Sequence, residues 1–207
     1  VVRSVQLFTA LLAVVAIGIT VAVVVAALAR RHGPARAFLG GLRPVAVPLA
    51  FAVALTATLG SLYFSEVANY VPCTLCWYQR IAMYPLALLL GVAWLTRDHR
   101  VGRFTIPLAA IGSVVATYHV LVERFPDLES DGICSAGGPP CSVVWFERLG
   151  FVTLPTMALA GFACVIALSA VAATGDRTPA PADAGSADAG PADAGAAEGT
   201  AAEPVVV

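Results

Sequence analysis

"VAVPLAFAVALTATLGSLYF", residues 45–64, carries no charged side chain. A hydrocarbon core about 30 Å thick is crossed by about 20 apolar helical residues. In lipid the backbone must satisfy its own polar groups, so only helices and closed barrels span. Barrel strands alternate polar and apolar residues. This stretch does not alternate, and it predicts a membrane helix. Four similar stretches accompany it. "VQLFTALLAVVAIGITVAVVVAALA" (5–29) and "FVTLPTMALAGFACVIALSAVAA" (151–173) are uncharged. Trp77–Thr96 carries one charge, Arg80, and "TIPLAAIGSVVATYHVLV" (105–122) holds His119 near its far end. The whole chain agrees, at 59% hydrophobic and 12% charged residues, where soluble proteins average about 25% charged. The expected fold is an all-α integral membrane protein with five transmembrane helices. A net charge of −1 gives no basic surface for nucleic acid. Residues 5–29 exceed the apolar run of a secretory signal, about 7–15 residues. No small-residue cleavage site precedes "ARRHGPAR", so this helix is expected to be retained.

Arginine sets the orientation. The linker at 30–44 carries Arg30, Arg31, Arg36 and Arg43, and the loop at 97–103 carries Arg97, Arg100 and Arg103. Short loops rich in basic residues stay in the cytoplasm. With both inside, the N-terminus and the loops at 65–76 and 123–150 lie outside, and the C-terminus lies inside. Four of five cysteines then sit at the outer face, where disulfides persist: Cys73 and Cys76 in one loop, Cys134 and Cys141 in the other. Cys164 is mid-helix and reads as a packing residue. From 174 onward, an Ala/Asp/Gly/Pro-rich tail with near-repeats of "ADAG" has nothing to bury and is expected to be disordered.

The segment "PCTLCWYQR" (72–80) places a Cys-x-x-Cys where an apolar helix begins. A helix N-terminus favours the thiolate. Arg80 follows Cys76 by four residues, on the same face one turn deeper. It stays charged, and a charge inside a membrane segment marks a functional site or a side chain snorkelling to the headgroups. Beside the cysteines the functional reading is favoured. "CSAGGPPC" (134–141) forms a small flexible loop that closes easily. Alone it would read as a structural staple; with a second pair on the same side it reads as a relay. The apolar run "SVVWFERLGF" (142–151) is expected to lie along the membrane interface and hold the loop pair near the first. His119 can donate a hydrogen bond or proton to a bound redox molecule. Electrons would enter at the loop pair from a soluble dithiol and pass by exchange to Cys73–Cys76. No haem motif or nucleotide fingerprint is present in the sequence, so a membrane quinone is the fitting acceptor. Arg80 and His119 would stabilise its developing negative oxygens.

In this order the residues resemble the DsbB family of disulfide bond formation proteins. The carriers are "CTLCWYQR", a histidine near the outer end of the next helix, a loop with a second cysteine pair, and "GFVTLPTMALAGF". The six-residue spacing of the second pair is most similar to the Gram-positive BdbC-type branch. The resemblance covers about 45–173 and implies a four-helix bundle in a bacterial cell membrane, built to support disulfide formation in exported proteins. It implies a DsbA-like thioredoxin-fold partner and a quinone, ubiquinone or menaquinone, as cofactor. It assigns the mixed disulfide with the partner to Cys134, with Cys141 as its mate. Cys76 becomes the thiolate at the quinone, Cys73 its interchange partner, and Arg80 and His119 the quinone-binding residues; no metal is implied. Residues 1–44, with the extra helix and basic linker, and 174–207, the expected cytoplasmic tail, fall outside the pattern.

Three rivals differ in class. In vitamin K epoxide reductase-like proteins the loop cysteines precede the Cys-x-x-Cys; here they follow it. A soft-metal transporter would use cysteine pairs as ligands, yet it would need cysteines along an inward route. A scaffold with structural disulfides would hold stable, unreactive bridges.

Overall fold

The computed structural model describes residues 1–129, 134 and 138–174, the side chain of His99 excepted. The tail expected beyond Thr174 lies outside these residues. Five long helices follow one another: α1 (Val2–Leu28), α2 (Gly33–Glu66), α3 (Thr74–Thr96), α4 (Gly102–Arg124) and α5 (Leu154–Ala173). Each is long and apolar enough to cross a membrane. Branched aliphatic residues such as Leu88, Leu95, Ile111 and Val114 point outward, as a lipid-facing surface requires.

The helix boundaries depart from the sequence reading in one place. The linker expected at 30–44 is mostly helix, because α2 starts at Gly33 with Pro34 in its first turn and runs for 34 residues. Pro suits a first turn, where its missing N–H costs nothing. α2 continues through Gly40, Gly41 and Pro44 of that linker, and through Pro48 of the expected span. At 1.5 Å per residue α2 is about 51 Å long, so the segment bearing Arg36 and Arg43 extends past a core of about 30 Å.

α5 packs against α4, α2 and α1, while α3 packs against α2 and α4. The contacts rely on small residues, as lipid-embedded helices must pack closely to attract one another. Ala10, Ala46, Ala50, Ala54, Ala109 and Ala116 are fully buried. Gly112 of α4 faces Phe162 of α5, and a Cβ there would lie 2.3 Å from Phe162 Cε1. α1 lies against α5 and α2. At one end of the bundle Thr105 donates to Ser169 across the α4–α5 interface, 3.1 Å. The Arg97–Arg103 turn is at that end; both cysteine pairs are at the other.

Two short connections shape the cysteine end. The run 142–151 is not helical; it leads into a tight turn closed by a bridge between Arg148 and Val152. Its Trp145 stacks on Tyr70 at 4.9 Å, and its Phe146 packs on Phe64 at 5.4 Å. Thr153 then starts α5 with a reciprocal cap to Thr156. Its hydroxyl also donates to Glu123 of α4, 2.6 Å.

Candidate functional site: two cysteine pairs and an apolar cavity

Cys73 is the N-cap of α3, in extended backbone directly after Pro72. A proline favours an extended residue before it and a turn or helix start after it. The Cys73 sulfur accepts the backbone N–H of Cys76 at 3.4 Å, filling one of the orphan donors of the first turn. The Cys73 thiol donates to the Cys76 sulfur at 3.1 Å. All five cysteines are thiols.

The second pair lies directly against the first. Cys73, Leu75, Cys134, Cys141 and Val122 form one buried cluster. Gly138 passes so close that a Cβ would sit 3.5 Å from the Pro72 carbonyl oxygen and 3.8 Å from Cys73 Cα. The Cys141 sulfur accepts the Leu75 N–H and touches Cys73. The N-terminus of α3 therefore serves two sulfurs, one from each pair. Each pair also has a donor and an acceptor: Cys73 donates to Cys76, and Cys134 to Cys141.

His119 stands between the pairs, almost fully buried. Its Nε2 is 3.1 Å from the Cys141 carbonyl oxygen and 3.7 Å from the Cys73 sulfur. A carbonyl only accepts, so Nε2 carries a proton. Nδ1 lies 3.0 Å from the Gln79 side-chain amide, whose N–H donates to it. The imidazole is thus a neutral donor aimed at Cys73 and Cys141.

Glu129 anchors the loop pair. Its two oxygens accept the Cys141 N–H at 2.6 Å and the Ser142 hydroxyl at 2.7 Å. The Ser142 hydroxyl, with help from the Cys141 and Ser142 N–H groups, holds this carboxyl below the usual glutamate range. Donation to Cys76, then burial, pushes the Cys73 thiol up to about 12. Burial, reinforced by donation to Cys141, pushes Cys134 up to about 12. Burial also raises Cys141, against the opposing bonds from Cys134 and the Leu75 N–H.

On the other side of Cys76 lies an apolar cavity of about 320 Å³ between α1, α2, α3 and α5. Cys76, Gln79, Arg80 and Tyr84 line it from α3. Arg80 turns inward rather than snorkelling: its Nε donates to the Ser61 hydroxyl at 2.9 Å and its Nη2 to the Ser61 carbonyl at 3.1 Å. Its guanidinium also lies over Trp77, 5.2 Å from the ring centroid. The Tyr84 hydroxyl is buried without a partner among the described residues. The cavity wall includes Arg80 and Cys76 but neither Cys73 nor His119. Cys164 is fully buried in α5, remote in character from both pairs. Sequence reasoning missed Gln79, Glu129 and Ser61. Gln79 could have been found as a lone amide three residues after Cys76; Glu129 and Ser61 carry no local signal, since their partners are distant in sequence.

The family model for disulfide bond formation protein DsbB matches residues 43–172. Disulfide bond formation protein C of Bacillus subtilis is 46% identical over 114 residues, covering 55% of this chain and 82% of that protein. A probable disulfide formation protein C 1 of Bacillus cereus is 41% identical over 120 residues, 58% of this chain and 86% of its own length. A probable disulfide formation protein C of Halalkalibacterium halodurans is 44% identical over 116 residues, 56% and 84%. No solved structure gives a significant match. The chain belongs to the DsbB family of disulfide bond formation proteins and is a membrane disulfide oxidoreductase.

Proposed function

We propose that this member of the DsbB family reoxidises a soluble thioredoxin-fold, DsbA-like partner outside the cytoplasm and passes the electrons to a membrane quinone. The observation that carries this reading is the linear arrangement of loop pair, helix-cap pair and apolar cavity, with Cys141 against Cys73 and Cys76 on the cavity wall.

In the oxidised protein a partner thiolate attacks Cys134 of the Cys134–Cys141 disulfide. Cys141 leaves as the thiolate, facing the Leu75 N–H, which can donate to it. The partner's second thiol closes the partner's disulfide and releases Cys134. Cys141 then attacks Cys73 of the Cys73–Cys76 disulfide, and Cys76 leaves as thiolate one turn from Arg80. Cys134 attacks Cys141, which restores the loop disulfide and frees Cys73. Two electrons and two protons now reside on Cys73 and Cys76. His119 Nε2–H, 3.7 Å from the Cys73 sulfur, would stabilise negative charge on Cys73 as it forms, a role at the exchange step.

The cavity fits a quinone by its chemistry. Its wall is apolar, while Cys76, Arg80 and the orphan Tyr84 hydroxyl gather polar groups on α3. When bound, the quinone takes up the two electrons and two protons released as Cys73 and Cys76 re-form their disulfide. Arg80 and Tyr84 would hold the ring, with Ser61 fixing the guanidinium.

Quinone absorbance, followed with purified protein and a reduced thioredoxin-fold dithiol protein, tests the reading. Cys76→Ser should abolish quinone reduction. Cys134→Ser should block partner oxidation while a small-molecule dithiol still drives the quinone. Full activity in either variant contradicts the relay. A metal carrier has one observation in its favour: Cys73, Cys76 and His119 could together hold a soft ion. Against it, the other candidate cluster among the described residues, Glu129, Cys134 and Cys141, lies at the same end, so nothing continues inward.

A further inference from the structure

Resting on the quinone reading above, we infer that α1, which precedes the residues shared with the family, is a wall of the quinone site: its inward face holds the isoprenoid tail, and Gln6 fastens the outer loops across the cavity mouth. The family match begins at residue 43, so α1 is this chain's own addition to the pattern. Six residues of α1 line the cavity: Val15, and the five-residue stripe Thr9, Leu12, Ala13, Ala16 and Ile19. The stripe recurs at helical spacing on one face and spans about 15 Å at 1.5 Å per residue. This side is hydrocarbon in character: the Thr9 hydroxyl is already spent on the Val5 and Gln6 carbonyls, 2.9 and 3.1 Å. The polar groups come instead from the far wall, through Arg80, Ser61 and Tyr84. A cavity polar on one side and hydrocarbon along the other suits a redox ring carrying an apolar tail.

Gln6 supplies the latch. Its side chain is buried, although it sits in an apolar helix. Its amide N–H donates to the Tyr70 hydroxyl at 2.7 Å, and its carbonyl accepts from the Arg148 guanidinium. Tyr70 and the Trp145 stacked on it both line the cavity. α1 therefore joins the loop before Cys73 to the loop after Cys141. A buried amide satisfied at both ends has no use in lipid packing alone.

The test uses the full chain and an isoprenoid quinone with a photoreactive diazirine at its tail. Illumination should label peptides within residues 9–19. Excess unlabelled isoprenoid quinone should suppress that label, and excess phospholipid should not. In parallel, Ala13→Phe should raise KM for isoprenoid quinone roughly tenfold, the worth of a lost side-chain-sized apolar contact. KM for a tailless quinone should rise less, so that the preference for the tailed quinone falls, and single-turnover oxidation of the partner, which does not use the cavity, reports that the variant is folded. Should Ala13→Phe fail to fold, Leu12→Ala, which enlarges the cavity, gives the same comparison. Labelling confined to other helices, or suppression by phospholipid but not quinone, overturns the inference. An unaltered tail preference in the folded variants does so too. Failure of the wild-type protein to reduce any quinone would instead overturn the parent reading, so the two failures are distinguishable.

Discussion

His119 has the protonation of a donor, because the Cys141 carbonyl and the Gln79 amide define its two nitrogens. A hydrogen bond to a charged sulfur is worth about 1.5–3 kcal/mol, so its loss should slow exchange about ten- to a hundredfold. His119→Leu should show this in rapid-mixing measurements of transfer between the pairs, with quinone KM unchanged. Gln79→Leu should show a smaller effect in the same direction, since the ring then loses its orientation. Arg80→Lys keeps the charge but loses the forked grip on Ser61; quinone KM should rise while partner oxidation in a single turnover persists. Glu129 makes the loop pair pH-sensitive. Its carboxyl is held below its ordinary value of 4.5, so its support for the loop is present above that value and is lost as pH falls through the lowered one. Partner oxidation should fail on acidification below that ordinary value, and Glu129→Gln should lower the rate at neutral pH and remove this acid limb. A pH profile of partner oxidation checks both.

Helix contacts in this bundle depend on the absence of side-chain bulk. The Gly112–Phe162 contact leaves no room for a methyl group, since a Cβ would lie within 2.3 to 2.8 Å of three ring atoms. Gly112→Ala should therefore destabilise the α4–α5 interface by about 1–3 kcal/mol, measured as a lower unfolding midpoint in detergent. Gly161, by contrast, has the flexible end of Met83 at 3.5 Å and Ala57 Cβ at 4.0 Å, ordinary contact distances, and Gly161→Ala should be nearly silent in the same measurement. α3 shows what an element's terminus contributes. Its first turn gives one N–H to Cys73 and another to Cys141, so the same orphan donors cap the helix and hold the two pairs together.

At the scale of the molecule, the alternation of five helices puts Arg30, Arg31, Arg97 and Arg100 at one end and the four clustered cysteines at the other. With the arginines inside, a cysteine introduced by Val67→Cys, at an exposed position near the cysteine end, should react with a membrane-impermeant thiol reagent in intact cells. In a variant lacking the native cysteines, a cysteine introduced by Arg100→Cys should react only after permeabilisation; the reverse result would invert the orientation. Much of this was legible in the chain itself. Five apolar runs at bilayer length leave no alternative to spanning helices, and Cys-x-x-Cys after a proline defines a helix-cap pair, because these patterns rest on local geometry and solvation. The arginines of 30–44 marked that stretch as a linker, yet α2 starts at Gly33, since a helix can run past the apolar core and carry its charges beyond it. What only the tertiary structure decided is which groups meet across distance. Glu129 reaches Cys141, Ser61 reaches Arg80, and His119 faces the cysteines rather than the cavity that Arg80 lines. Such partners are set by how helices rotate and pack, and spacing along a chain carries no record of that rotation. The same holds for α1, whose composition reads as a plain membrane anchor until packing turns six of its residues toward the cavity.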